Sequence, residues 1–78
     1  MTYARKQIMR ELKHYRDIIR RSSSKRLLDN YFQEANGFIW ALYYVDAIDH
    51  SSWKRYNQYF FDLWYDTKDR FDYGGDNI

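Results

Sequence analysis

Asp46 and His50 stand four residues apart, one turn of a helix, with Asp49 beside them. A carboxylate and an imidazole on one face are the beginning of a metal site or an acid–base pair. Two ligands and a neighbour fall short of a site, however, and Asp49-His50-Ser51-Ser52 reads equally as turn and capping chemistry. His14, set among charged residues, reads as solvated. The chain has no cysteine, which excludes a thiol nucleophile, a disulfide framework and a zinc–thiolate centre. It carries no glycine-rich phosphate loop, no nucleophile motif and no converging carboxylate pair. The sequence therefore predicts a protein without catalytic residues, cofactor or metal.

Aromatic residues point elsewhere. Three Trp, nine Tyr and five Phe make up 22% of the chain, more than one core stripe requires. Trp40, Tyr44 and Ile48 recur every fourth residue on a face away from the main apolar stripe of their segment, with Ala47 adjoining. Phe61 and Tyr65 form a second such pair. Trp and Tyr dominate protein–protein hot spots, so these five residues are the candidate partner-binding surface. The competing reading is a middle helix that touches both neighbours and buries a wide arc. Exposed apolar patches also mark self-association, so a homodimer is compatible with either reading.

Charge is distributed unevenly. Residues 1–28 carry nine bases against two acids, and residues 29–78 carry four bases against nine acids, within a net charge of +2. Lys6, Arg10, Lys13, Arg16 and Arg20 gather on one face of the first segment, interrupted by Asp17, and Arg21, Lys25 and Arg26 continue past it. A face of this kind follows a phosphate backbone with strongly salt-dependent affinity, which makes nucleic-acid binding the alternative function. No helix-turn-helix signature accompanies it, since the Ser22–Ser24 junction lacks the usual glycine and the segment after it is apolar. Asp62, Asp66 and Asp69, followed by Asp72 and Asp76, form an acidic stripe on the third segment. It reads as a solvated face or as a phosphate mimic, and its opposition to the basic helix suits head-to-tail self-association.

Three helical segments position these groups. In the first, about residues 3–21, Ala4, Ile8, Leu12, Tyr15 and Ile19 form an amphipathic stripe. Ser22-Ser23-Ser24 marks the break, because a serine hydroxyl accepts from a first-turn amide; a continuous helix through the serines is the competing reading. The second segment, about 25–48, has Leu28, Tyr31, Ala35, Phe38, Leu42 and Val45 as its stripe, flanked by Phe32 and Ile39. Gly37 lies within it. The helical phase continues across that glycine, which argues against a stop followed by a strand at 38–45, and a small residue there suits close approach of a neighbouring backbone. The third, about 53–72, carries Trp53, Tyr56, Phe60, Leu63, Trp64, Thr67 and Phe71 on one face. Gly74-Gly75 then ends it, leaving a frayed tail at 74–78. The expected fold is an all-α, antiparallel three-helix bundle with an aromatic-rich core, a single domain over residues 1–78.

Length and composition bound the rest. At 78 residues, without proline and with three glycines, the chain is neither collagenous nor low in complexity. Its longest apolar run, residues 38–45, is far short of the ~20 residues that span a bilayer. The opening residues 1–6 lack the apolar stretch of a secretory signal, so a cytoplasmic location is expected. In general character, short, aromatic-rich and free of Pro and Cys, the chain is similar to small accessory proteins of bacterial phages and mobile elements. That resemblance is one of composition, and it implies a role in binding and modulating a host or element-encoded protein.

Overall fold

The computed structural model describes the backbone of residues 4–74 and the side chains of residues 4–71. Three helices, α1 (Arg5–Arg20), α2 (Lys25–Tyr44) and α3 (His50–Gly74), pack as an antiparallel bundle, with α2 and α3 the most extensive pair. Ring contacts give the α2–α3 register: Trp40 meets Trp53 at one end, and Phe32 meets Trp64 further along. On the other side of α2, Phe38 lies 5.6 Å from Tyr15 of α1.

The innermost residues are Ile8, Leu12 and Ile19 of α1, Leu28, Ala35, Ile39 and Leu42 of α2, and Phe60 of α3. Half-buried aromatics surround them: Tyr15, Tyr31, Phe32, Phe38, Trp53, Tyr56, Trp64 and Phe71. The aromatic richness thus lies chiefly in a half-buried sheath around a mainly aliphatic centre. Burial raises the pKa of the Tyr15 phenol, and the nearby carboxylates of Glu34 and Glu11 add to the effect. Two stripe residues do not reach the core. Ala4 is exposed and precedes α1 as its N-cap, where Gln7 Oε1 accepts from its amide at 3.1 Å. Val45 is 53% exposed because α2 ends before it.

The serine junction breaks the chain through two different serines. Ser22 is buried and its hydroxyl donates to the Ile19 carbonyl at 2.7 Å, satisfying one of the acceptors left open at the end of α1. Ser24 Oγ accepts from the Leu27 amide at 3.1 Å and caps α2. Arg70 of α3 reaches across to donate to the Ser22 carbonyl at 3.2 Å, fastening the junction to the bundle.

The second junction differs from expectation. The expected helix to residue 48 stops at Tyr44, although no glycine or proline marks the place. Asp46 adopts φ 59°, its amide donates to the Tyr43 carbonyl at 3.1 Å, and the Ala47 amide donates to the Leu42 carbonyl at 2.8 Å. This is a Schellman closure with Asp in the position glycine usually takes. A left-handed non-glycine residue costs ~1–2 kcal/mol, so Asp46→Gly should stabilise the domain by about 1 kcal/mol and raise its melting temperature by ~4–8 °C. A thermal melt followed by circular dichroism measures the shift.

α3 then begins three residues earlier than its apolar pattern suggests. Asp49 accepts from the Ser52 amide at 2.8 Å, an N-cap bond. That bond, reinforced by the Ser52 hydroxyl, is the main reason the Asp49 carboxyl is held below the usual carboxylate range. Within α2, Gly37 is exposed, and a Cβ built there would meet nothing within 4 Å. No neighbouring backbone approaches it, so the close-approach reading of this glycine is corrected. Gly74 belongs to α3, while Gly75 and the rest of the expected tail lie outside the described residues.

Candidate functional site

The end of the bundle where α2 turns into α3 holds the densest ring cluster. Trp53, at the start of α3, is half-buried and stacks against Tyr43 at 5.2 Å and His50 at 5.4 Å. Trp40 meets the Trp53 ring edge-on at 5.3 Å, and Tyr44 packs on Trp40 at 5.9 Å. Tyr43 Oη and His50 Nδ1 are hydrogen-bonded at 3.2 Å, closing the base of the cluster. Trp40 is 43% exposed and Tyr44 80% exposed. Half-buried Tyr43 and Trp53 support Trp40, Tyr44 packs on Trp40 and is the most exposed ring, and His50, itself exposed, flanks Tyr43 and Trp53. Trp53 Nε1 is buried without a hydrogen-bond partner, as is Asn57 Oδ1 one turn along α3.

Ile48 does not join this surface. Spacing placed it one turn beyond Tyr44, but the Schellman closure ends α2 first and the chain doubles back, so Ile48 packs against the core with Ala47. The same closure separates the Asp46–His50 pair. Asp46 is exposed in the turn, Asp49 is occupied as a cap, and the imidazole faces Tyr43. Among the described residues no three His, Cys, Asp or Glu side chains gather as a metal-binding group.

Phe61 and Tyr65, 47% and 52% exposed, lie two to three turns along α3 from Trp53. They neighbour each other at 6.4 Å, and Phe61 rests on Trp64, whose indole N–H donates to Asp29 of α2 at 2.8 Å. The ammonium of Lys68 lies 5.1 Å over the Tyr65 ring. They form a second patch, about 12–18 Å along the axis from Trp53 at the ~1.5 Å rise per residue of a helix.

The basic residues of α1 are not one uniform face. Lys6, Arg10, Lys13 and Arg20 are exposed, whereas Arg16 is half-buried and bonded to Asp17 at 3.0 Å. Arg10 borders a cleft towards Phe38 of α2, while Lys13 and Arg16 border a groove towards α3. That groove, about 300 Å³, has a floor of Leu12, Tyr56 and Phe60. Met9 and Tyr59, both more than two-fifths exposed, form its walls, and Arg55 faces Lys13 and Arg16 from the opposite helix. The sequence pattern of either helix alone does not reveal it. Met9 stands beside the α1 stripe and Tyr59 beside the α3 stripe, and only the packing of the two helices joins them.

Of the acidic stripe, Asp62 and Asp66 are exposed and Asp69 is half-buried; Asp62 accepts from Gln58 at 2.8 Å. The side chains of Asp72 and Asp76 lie outside the described residues. Among the described residues no helix is long and apolar enough to cross a membrane. No protein-family model, no curated protein and no solved structure matches this chain.

Proposed function

We propose that this chain is a non-enzymatic interaction module that binds and modulates a partner protein by covering part of its surface. Trp40 and Tyr44 are the anchors and Phe61 and Tyr65 the secondary contacts. The observation that carries this reading is the exposure of Trp40 and Tyr44 with Trp40 packed on the stacked pair Tyr43 and Trp53 and Tyr44 packed on Trp40. Rings supported from beneath lose little freedom on binding, which is why large rigid aromatics act as hot spots. The uneven charge of the chain serves orientation and on-rate.

The test is capture of a partner from a lysate of the encoding organism by the tagged protein, with and without nuclease. The double variant Trp40→Ala/Tyr44→Ala serves as the control. Both side chains are solvent-exposed, so the variant should keep its helical spectrum. A hot-spot role predicts a discrete protein that survives nuclease and is captured about tenfold or more less well by the variant. Recovery that vanishes with nuclease, and does not depend on Trp40 or Tyr44, favours nucleic-acid binding through Lys6, Arg10, Lys13, Arg16 and Arg20. The observation behind that second reading is that Lys6, Arg10, Lys13 and Arg20 stand exposed with no ion pair to a described carboxylate.

A further inference from the structure

Trp40, Tyr44, Phe61 and Tyr65 belong to one face of the bundle, the outer side of the α2–α3 seam. Two cross-links define that seam: the Trp40–Trp53 ring contact and the bond from the Trp64 indole to Asp29. Asp29 and Trp40 are eleven residues apart on α2, and Trp53 and Trp64 are eleven apart on α3. At 100° per residue each pair points within about 20° of one direction, so both cross-links lie on the same side of the seam. α1 packs elsewhere on α2, against Phe38. Beside the seam, α2 exposes Arg26, Gln33, Gly37, Trp40 and Tyr44 at spacings of seven, four, three and four. α3 matches them with Lys54, Phe61, Tyr65 and Lys68 at spacings of seven, four and three, all exposed except half-buried Lys68. These are heptad stripes, the pattern against which a further helix packs. Gly37 is an unfavourable residue in mid-helix, and no atom within 4 Å requires it; it leaves α2 without a side chain between Gln33 and Trp40.

Charge selects the occupant. Trp64 faces α2, and it points about 100° to one side of Tyr65 around α3. Lys68, Phe61 and Lys54 point about 60°, 40° and 20° to that same side, whereas Asp69 and Asp62 point about 40° and 60° to the other. The Lys68 ammonium lies over the Trp64 and Tyr65 rings at 5.9 and 5.1 Å, which sets it beside the seam. Asp29, the α2 carboxylate that faces the seam, is held by the Trp64 indole and by Lys25 at 3.6 Å. Asp46 and Asp49 stand in the turn beyond Tyr44, Asp49 as the α3 cap. The face is therefore uncharged at its middle, with Lys54 at one end and Arg26 and Lys68 at the other. Lys54 and Lys68 are about 21 Å apart along the helix axis. A polynucleotide asks for cations along its whole length; a heptad-spaced face charged only at its ends fits a helix. Resting on the partner-binding reading above, we propose that this face receives one amphipathic helix of the partner protein, about four turns long. Its apolar stripe lies on Trp40 and Phe61, and its carboxylates lie at the two ends.

Titration of the purified full chain with a fluorescent peptide of about 21 residues, some six turns, tests it without any captured partner. The peptide carries Leu at heptad positions a and d, Glu at e and g, and Gln elsewhere; a second peptide has Lys in place of Glu. The Glu peptide should bind at about 10–100 μM in low salt and gain helix, and the Lys peptide about tenfold or more less tightly. Arg26→Glu/Lys54→Glu should reverse that order. Both residues are exposed and near helix N-termini, which favour acids, and helical spectra verify that the variant folds. Trp40→Ala/Tyr44→Ala and Phe61→Ala/Tyr65→Ala should each weaken the Glu peptide about tenfold or more, because one helix spans both pairs. Gly37→Gln raises helix propensity but inserts a side chain into the face, and should weaken it severalfold. A Glu peptide that fails to bind below about 1 mM overturns the proposal. So does equal binding of the two peptides, an unchanged order in the Arg26/Lys54 variant, or full affinity after either aromatic pair is removed. A thymidine oligonucleotide that binds more tightly than the Glu peptide through the same residues gives the face to nucleic acid. A chain that sediments alone above its 9.8 kDa until Trp40 and Tyr44 are replaced gives it to a second copy; both results overturn the helix. Capture of a partner through Trp40 and Tyr44 is a separate result, so failure of the peptide refutes the helix and leaves the partner-binding reading standing.

Discussion

Phe60→Ala should remove a large part of the stability of this domain, at a cost of about 3–5 kcal/mol. Phe60 is only 2% exposed and, among the described residues, is the one α3 member of the buried core. The remaining core members come from α1 and α2, so truncating this ring deprives the third helix of its central contact with the other two. At ~0.05–0.15 kcal/mol per residue a 78-residue domain has only about 4–12 kcal/mol in hand, so the loss is a large part of the whole. Urea unfolding should show a midpoint shifted far downwards, or no folded baseline at all. Val45→Ala provides the comparison: although Val45 falls in phase with the core stripe of α2, it is 53% exposed and its truncation should cost under about 0.5 kcal/mol. Equal costs at the two positions would contradict the packing described above.

Asp29→Ala should cost about 2 kcal/mol, a large effect for a residue that is itself only half-buried. Its Oδ1 accepts the indole N–H of Trp64 at 2.8 Å, while Lys25 lies 3.6 Å from Oδ2. The Lys25 pair is exposed and contributes little, so the charge-assisted bond to the indole carries the effect. It ties α2 to α3 across 35 residues of sequence and holds Trp64 beneath Phe61. Asp29→Asn keeps an acceptor and should lose less than half as much, whereas Lys25→Ala should be nearly neutral. Denaturant titration of the three variants separates the indole bond from the surface ion pair. A loss with Lys25→Ala as large as with Asp29→Ala would show that the pair, rather than the indole, is responsible.

Sequence periodicity was sufficient for the class of fold. Ile8, Leu12 and Ile19 on α1, Leu28, Ala35 and Leu42 on α2, and Phe60 on α3 recur at helical spacing and are buried. Most solvent-facing positions between them are polar or charged, Met9, Trp40, Tyr44, Tyr59, Phe61 and Tyr65 being the large apolar exceptions, and each helix buries its stripe against the other two. The first junction was legible because serine advertises a helix break through its own hydroxyl, as Ser24 does. The second was not. A Schellman closure is ordinarily signalled by glycine, and here Asp46 occupies the left-handed position. With no residue-type signal, the apolar phase of Val45 and Ile48 extended the helix in reading but not in space, and Ile48 left the aromatic surface for the core.

The candidate site divides in the same way. The local pattern determined that Trp40 and Tyr44 share one face of α2, and Phe61 and Tyr65 one face of α3, because a helix fixes the direction of residues four apart. Whether those faces were covered was a question of which helix packs where, and local spacing is silent on that. Tertiary structure decided it by placing α1 on the opposite side of α2, against Phe38, and leaving Trp40 supported by Trp53 but open above. The α1–α3 groove is wholly a tertiary feature, since Met9 and Lys13 on one helix and Arg55 and Tyr59 on the other acquire a common boundary only when two rods pack side by side. Backbone geometry orders residues along a helix, and the order across helices comes from packing alone.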